Sequence, residues 1–273
     1  MGNFVEMLRY KVYSKGGTLS FERPVMLFVH GLGGGYANWV CQVRNLKKQY
    51  DLIVIELPSH GRSPLKLSET EPNIDEVSAR IIDVLDHLGV QKVTFVGVSL
   101  GSMIVQHLAY TYPERTDKYI LIAPIGRLNK VYRFGIRLIK NLLPIAPMGM
   151  VITLVCALIM PYKSMSYARN MFMTCARRVE RKEFIAWCKV LLSLKEMHSR
   201  YADVMKDEPN GLYIAGELDY LFLPMIKGDM KRISNFVTVK KAGHICNIDQ
   251  YQIVNDLIIA FQDTGSCSLK QTV

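Results

Sequence analysis

Short, continuously apolar runs recur along the chain, and each of them stops at a turn. The runs are residues 25–31, 51–58, 92–99, 119–126 and 211–219, followed by a weaker sixth run at 235–244. Continuous β-branched runs of this length are typical of parallel strands that are buried on both faces. Alternating apolar and polar positions in FVEMLRYKVYS and GTLSFE, near the start, predict an antiparallel pair that precedes this set.

The segments between these runs have helical periodicity. Residues 74–88 place their apolar side chains on one helical face, and further helices are predicted at 36–48, 100–110 and 248–261. Strands that alternate with helices predict an α/β fold, in which a mostly parallel central sheet has helices on both faces.

The alternation stops between residues 126 and 206. This stretch contains about four predicted helices, which are separated by Pro144, Pro147 and Pro161. We therefore expect an all-helical insertion, a cap, at 126–206 and a core made of residues 1–125 and 207–273.

The positive charge of the chain is concentrated in the same stretch. Residues 126–206 contain 15 Lys and Arg against 4 Asp and Glu, so the remainder has 34−15 = 19 positive and 24−4 = 20 negative side chains. Such a segment is either a solvated helical face or a surface that faces something acidic, which would be an anionic membrane, an acidic carrier protein or an anionic substrate. No nucleic-acid-binding motif accompanies the charge, so nucleic acid is not an expected partner.

The cysteines and the apolar runs indicate where in the cell the protein is expected. Six cysteines are scattered without a CxxC pair, which is typical of reduced thiols rather than a disulfide framework or a zinc site. The first ten residues lack the apolar core of a secretory signal, and the longest apolar run, 148–160, is too short to span a bilayer as a helix. A cytoplasmic protein, able to lie at a membrane surface, is the expectation.

A serine stands between two glycines at the end of the third apolar run. GVSLG, residues 97–101, matches the pattern G-x-S-x-G at a point where a predicted strand is followed by a predicted helix. In that context the turn holds the Ser99 hydroxyl above the carboxyl end of the strand as a nucleophile. The alternative is a small residue in a tight turn.

A serine hydroxyl needs a general base, and a base needs an acid to orient it. His244 lies in the loop after the last predicted strand, at the same sheet edge as Ser99, whereas His30 is expected to have a structural hydrogen-bonding role. Asp219 follows the preceding strand and is the favoured acid, with Glu217 as its rival.

The glycine-rich segment HGLGGG, residues 30–35, lies between a strand and a helix. It lacks the ending of a phosphate-binding loop and does not match G-x-G-x-x-G, so an oxyanion hole is favoured. The predicted donors are the backbone N–H groups of Leu32 and Leu100.

Together HGLGGG, GVSLG, GELD and AGHICNID resemble the α/β-hydrolase superfamily in type and order, from about Val25 to Phe261. ELPSHGRS resembles that superfamily's D-x-x-G-H-G-x-S loop, with Glu56 in place of Asp and Pro58-Ser59 before His60. The resemblance implies a small serine carboxylesterase with a helical lid over its site. Ser99 argues against the related haloalkane dehalogenases and epoxide hydrolases, which use an aspartate nucleophile.

These features predict a serine hydrolase that cleaves a carboxylic ester of an apolar or small-molecule substrate without a metal or organic cofactor. A lactone hydrolase, a non-catalytic ligand receptor on the same scaffold, and a membrane-associated structural protein anchored by residues 148–160 are the alternatives.

Overall fold

The computed structural model describes residues 7–63, 73–126, 130–193, 210–227, 233 and 235–267. Its strands are β1 (Arg9–Tyr13), β2 (Val25–Val29), β3 (Asp51–Glu56), β4 (Val93–Val98), β5 (Thr116–Ile122), β6 (Gly211–Gly216) and β7 (Phe236–Val239). They form one seven-stranded sheet in the order β1-β3-β2-β4-β5-β6-β7, in which only the β1–β3 pair is antiparallel. The predicted mostly parallel α/β fold is confirmed.

The helices connect the strands. In chain order they are α1 (Val40–Leu46), α2 (Ile74–His87), α3 (Leu100–Thr111), α4 (Lys130–Leu142), α5 (Met148–Ile159), α6 (Ser166–Ala176), α7 (Arg181–Ser193), α8 (Leu223–Lys227), α9 (Cys246–Asp249) and α10 (Tyr251–Thr264). Short 3₁₀ turns precede α1, β5 and α6, at Tyr36–Trp39, Pro113–Arg115 and Lys163–Met165.

The hydrophobic core lies on both faces of the sheet, which explains why the strands are apolar at every position. In β2, for example, Leu27 and Val29 pack with α2 and α3, whereas Met26 and Phe28 pack with α1 and α10. All four side chains are fully buried. Burial of both faces is what central parallel strands require, because helices cover each of them.

The predicted antiparallel partner of the first strand is wrong. Residues 17–22 form turns and bends instead of a strand, and β1 pairs with β3. Gly17 and Phe21 have φ angles of 81° and 57°, which no strand residue adopts. The Ser20 N–H and hydroxyl both donate to the Asp51 carboxylate, at 2.7 and 2.9 Å, so this segment folds around a side chain at the start of β3.

Helices α4 to α7 fill the described part of the predicted insertion, and residues 194–209 lie outside the described residues. The helices meet the sheet at its carboxyl edge. The Trp187 indole N–H donates to the Pro58 carbonyl at 3.2 Å, and the Ser59 hydroxyl donates to the buried Glu183 carboxylate. Both contacts attach α7 to the loop after β3. The proposed domain boundaries at 126 and 206 stay a prediction.

Candidate active site

Ser99 occupies a strained turn between β4 and α3. Its φ and ψ are 56° and −119°, which non-glycine residues seldom adopt, and its N–H donates to the Ile122 carbonyl at 2.9 Å. β4 ends at Val98 and α3 begins at Leu100, so nothing separates the strand from the helix except this serine. The side chain is therefore held at the carboxyl edge of the sheet, beside the first turn of α3.

The two glycines of GVSLG are needed because the backbone is crowded there. A Cβ atom on Gly97 would lie 2.2 Å from the Gly101 carbonyl oxygen, and one on Gly101 would lie 2.1 Å from the Val29 carbonyl oxygen. No side chain fits at these distances. The spacing G-x-S-x-G thus lets α3 turn back against β4 and pack against β2.

His244 and Asp219 complete a chain of hydrogen bonds that starts at Ser99. The His244 Nε2 lies 2.8 Å from the Ser99 Oγ, and its Nδ1 lies 2.7 Å from the Asp219 Oδ2. Since the carboxylate accepts at Nδ1, that nitrogen carries the proton and Nε2 can accept from the serine hydroxyl. His244 and Asp219 are 3% and 2% exposed, so the imidazole and the carboxylate are shielded from water.

The position of Asp219 is fixed from its other side. The Phe222 N–H donates to the Asp219 Oδ1 at 3.1 Å, and the Phe222 ring lies against the His244 imidazole with 4.4 Å between ring centroids. The rival acid Glu217 does not reach the histidine. Its carboxylate accepts from the Lys241 N–H at 3.2 Å, at an exposed position.

Close approach of two loops brings the acid and the base together. Gly216 ends β6, just before Asp219, and a Cβ atom there would lie 2.1 Å from the carbonyl oxygen of Gly243, the residue before His244. The Leu218 N–H donates to the Ala242 carbonyl at 2.8 Å and ties the same two loops.

The glycine-rich segment, the predicted oxyanion loop, lies against Ser99. A Cβ atom on Gly31 would lie 3.2 Å from the Ser99 Cβ. The backbone N–H groups of Leu32 and Leu100 have no hydrogen-bond acceptor among the described residues, and both residues line the same cavity as Ser99. Donors without a protein acceptor beside a nucleophile are what a developing oxyanion requires.

His30 and His60 hold the glycine-rich segment, and sequence reasoning assigned no such contact to His60. His30 Nε2 accepts from the Leu57 N–H at 3.1 Å, while Nδ1 faces the Gly31 carbonyl at 2.8 Å. His60 Nε2 accepts from the Gly33 N–H at 2.9 Å, and Nδ1 faces the Pro58 carbonyl at 2.9 Å.

Both imidazoles are neutral, because they are fully buried. Burial penalises the charged form and lowers the pKa of His30 to about 3, with the neighbouring His60 adding to the effect. Burial also lowers the pKa of His60 to about 4. In the neutral form each ring has one N–H and one acceptor, which matches the two partners of each ring.

The loop after β3 folds around Glu56, where the resembled motif has Asp. The Arg62 N–H donates to the Glu56 Oε2 at 2.8 Å, and a Cβ atom on Gly61 would lie 1.9 Å from Oε1. Gly61 has a φ of 58°, so this glycine permits both the turn and the close approach. The Glu56 side chain, which is longer than the Asp of the motif, thus accepts from the backbone of its own loop, and this loop ends beside His60.

A cavity of about 340 Å³ opens over Ser99 and His244. Its walls come from the sheet edge and from α4 to α7, and their side chains are apolar apart from Asn38, Tyr132, Cys188 and the two site residues. No Lys, Arg, Asp or Glu lines it within the described residues. A bound anion or cation would find no counter-charge in this space.

Within the described ranges, no group of three or more His, Cys, Asp or Glu side chains could hold a metal ion. In the same part of the chain, no helix combines the length and the apolar character that a bilayer crossing needs. All six cysteines are free.

Part of the chain matches curated proteins of several activities. It is 33% identical over 100 residues to epoxide hydrolase 4 of Mus musculus. This alignment covers 37% of this chain and 28% of the mouse protein. It is 29% identical over 116 residues to 3-oxoadipate enol-lactonase 2 of Acinetobacter baylyi, covering 42% of this chain and 43% of that one. The alignments thus span less than half the length of these relatives.

Solved structures match over nearly the whole chain. A structure reported with activity profiles of carboxylesterases from Nitrososphaera gargenis aligns with a TM-score of 0.80 at 16% identity and covers 94% of each chain. At this identity the likeness shows the fold alone. A family model described as alpha/beta hydrolase fold matches residues 24–137. With the order of strands, the turn at Ser99 and these matches, the chain has the α/β-hydrolase fold.

Proposed function

We propose that this protein is a serine hydrolase that cleaves carboxylic esters with an apolar acyl or alcohol group. The observation that carries the proposal is the unbroken chain of hydrogen bonds from Asp219 through His244 to Ser99, which ends in an apolar cavity. Each group has the partner that its role requires, and the cavity volume suits a small molecule.

The reaction proceeds by acyl transfer in two steps. His244 Nε2 takes the hydroxyl proton as the Ser99 Oγ attacks the ester carbonyl, and Asp219 stabilises the imidazolium that forms. The carbonyl oxygen becomes an oxyanion between the N–H groups of Leu32 and Leu100. The imidazolium then protonates the leaving alcohol, and a water activated by the same histidine releases the acid from the acyl enzyme.

The serine limits the substrates that the site could turn over. A serine oxygen that opened an epoxide would form an alkyl ether, which the same histidine and water could not hydrolyse. An acyl group, in contrast, forms an ester with the serine, and water hydrolyses this ester through a second tetrahedral intermediate. The likeness to epoxide hydrolase 4 therefore bears on the fold and not on the bond that is cleaved.

A lactone hydrolase is the second candidate function. It is favoured by the likeness to an enol-lactonase, and a lactone would use the same three side chains. The apolar walls favour a lactone without a carboxylate, since no Lys or Arg of the described residues lines the cavity. Rates with p-nitrophenyl acyl esters of increasing chain length, measured beside acyl lactones, would separate the two.

Ser99→Ala tests the proposed chemistry. We expect kcat for a p-nitrophenyl ester to fall about 10³- to 10⁶-fold, because no other group can form the acyl enzyme. A fluorophosphonate probe should label the wild-type protein at Ser99 and leave the variant unlabelled. Ser102→Ala is a suitable control, since Ser102 lies on α3 and its hydroxyl donates to the Ser99 carbonyl. A wild-type protein that neither reacts with the probe nor hydrolyses any ester would favour the non-catalytic receptor.

A further inference from the structure

One exposed side of the helices over the cavity is apolar. On α5, Met150, Leu154 and Leu158 are 59%, 46% and 48% exposed and recur at a spacing of four, so they form one stripe. The opposite side of α5 is also apolar and is buried, as Ile152 and Cys156 show. A helix that is apolar all round is normally buried on all sides, and α5 is not.

Helix α4 and the turn after it also expose apolar side chains. Phe134 and Leu138 are 67% and 47% exposed, and Ile145, between α4 and α5, is 80% exposed. The other side of α4 lines the cavity through residues such as Ile136. We define the docking face as the side chains of Phe134, Leu138, Ile145, Met150, Leu154 and Leu158.

The helices that carry the docking face are rich in positive charge. Residues 130–179 contain eight Lys and Arg and no Asp or Glu. Lys130 and Arg137 are exposed on α4 beside Phe134 and Leu138, and neither forms an ion pair with a described residue. Apolar side chains bordered by cations are typical of helices that lie in the interface of an anionic bilayer.

The docking face reaches the cavity. Leu158 is half exposed on the face and also lines the space that contains Ser99 and His244. Its carbonyl accepts from the hydroxyl of Tyr220, a half-exposed residue next to Asp219. An apolar molecule that moved along this face would therefore meet the cavity at Leu158 without crossing a charged wall.

We propose that the docking face lies on an anionic lipid surface, and that the site takes its substrate, a lipid-soluble ester, from that surface. The second part rests on the proposed function, whereas the docking does not. A second copy of the chain is disfavoured as the occupant, because a two-fold contact through this face would place the same cations opposite one another. An acidic protein would pair with the cations but would leave the six apolar side chains of the docking face to be covered.

Vesicle flotation tests the proposal with matched variants. Wild-type protein should float with vesicles of phosphatidylcholine mixed with phosphatidylglycerol, bind phosphatidylcholine alone more weakly, and be released as salt is raised. Phe134→Asp and Leu154→Asp should each weaken binding about tenfold. Phe21→Asp is the control, because Phe21 is 62% exposed before β2, at the opposite edge of the sheet, and the charge change is the same.

The outcomes separate docking from catalysis. Ser99→Ala should float like the wild type even though it cannot carry out the proposed hydrolysis. Equal losses in Phe134→Asp and Phe21→Asp, or no binding to anionic vesicles by the wild type, would overturn the docking face. A dimer in sedimentation that Leu154→Asp dissociates would overturn it in favour of a second copy. Thermal unfolding of each variant checks that it is folded.

Discussion

Asp219 and Glu217 lie two residues apart after β6 and meet different surroundings. Asp219 is 2% exposed and contacts His244 and the Phe222 N–H. Glu217 is exposed and accepts from the Lys241 backbone. A buried carboxylate that faces an imidazole stabilises the charged form of that ring in the transition state, and an exposed carboxylate elsewhere does not.

This difference gives a prediction at the scale of single residues. Asp219→Asn should lower kcat about 10³- to 10⁴-fold, because the amide stabilises the wrong tautomer of His244 and cannot balance its charge. Glu217→Gln, the matched control, should leave kcat within about twofold, since it removes the same charge from an exposed position. Steady-state ester hydrolysis measures both. Comparable losses in the two variants would contradict the assignment of Asp219 as the acid.

At the scale of elements, the junction of β4 and α3 depends on backbone atoms that touch. Gly101 lies in the first turn of α3 and packs against the Val29 carbonyl of β2, so the helix can approach the sheet closely only without a side chain. Gly135, within α4, has nothing within 4 Å of the place where a Cβ atom would lie. The same residue type thus has opposite constraints in two helices.

Gly101→Ala should destabilise the fold by about 3 kcal/mol or more, because its Cβ atom would overlap a carbonyl oxygen that the sheet holds in place. Gly135→Ala should stabilise α4 by about 0.5–1 kcal/mol, since alanine loses less backbone entropy in a helix. Urea unfolding monitored by circular dichroism gives both values. A Gly101→Ala protein as stable as the wild type would show that α3 is not held this closely.

The alternation of elements was predictable because each buried strand is apolar throughout and each helix keeps its period. The errors occurred where long-range contacts decide the backbone. Residues 17–22 alternate like a strand but fold around the Asp51 carboxylate. The predicted helix at 36–48 begins as a 3₁₀ turn before α1, and the one at 248–261 is divided between α9 and α10.

At the scale of the whole molecule, three loops from distant parts of the chain meet at one sheet edge. Ser99, Asp219 and His244 could be predicted because parallel strands end at the same edge. The choice between Asp219 and Glu217, and the contact of His60 with the Gly33 N–H, required coordinates. No periodicity or motif spacing in the sequence indicates either feature, since each depends on how two loops approach one another.

The two buried histidines also couple the fold to pH. The pKa values of His30 and His60 are about 3 and about 4 in the folded protein, against about 6.5 in an unfolded chain. Between these values the unfolded chain binds more protons than the folded one, so the free energy of unfolding falls as pH falls below about 6.5. Each histidine should contribute a loss of about 2 kcal/mol between pH 6.5 and pH 5.

His60→Gln should therefore reduce this pH dependence by about 2 kcal/mol, because glutamine does not titrate and its amide can still accept from the Gly33 N–H. The variant is expected to be less stable than the wild type near neutral pH and to differ from it less at pH 5. His87→Gln is the control, since it makes the same substitution at an exposed position of α2. Urea unfolding at pH 5, 6 and 7 gives the dependence of the free energy of unfolding on pH for the wild type and for both variants. If His60→Gln had the same pH dependence of the free energy of unfolding as the wild type, His60 could be protonated in the folded protein. The glycine-rich segment would then not depend on a neutral imidazole.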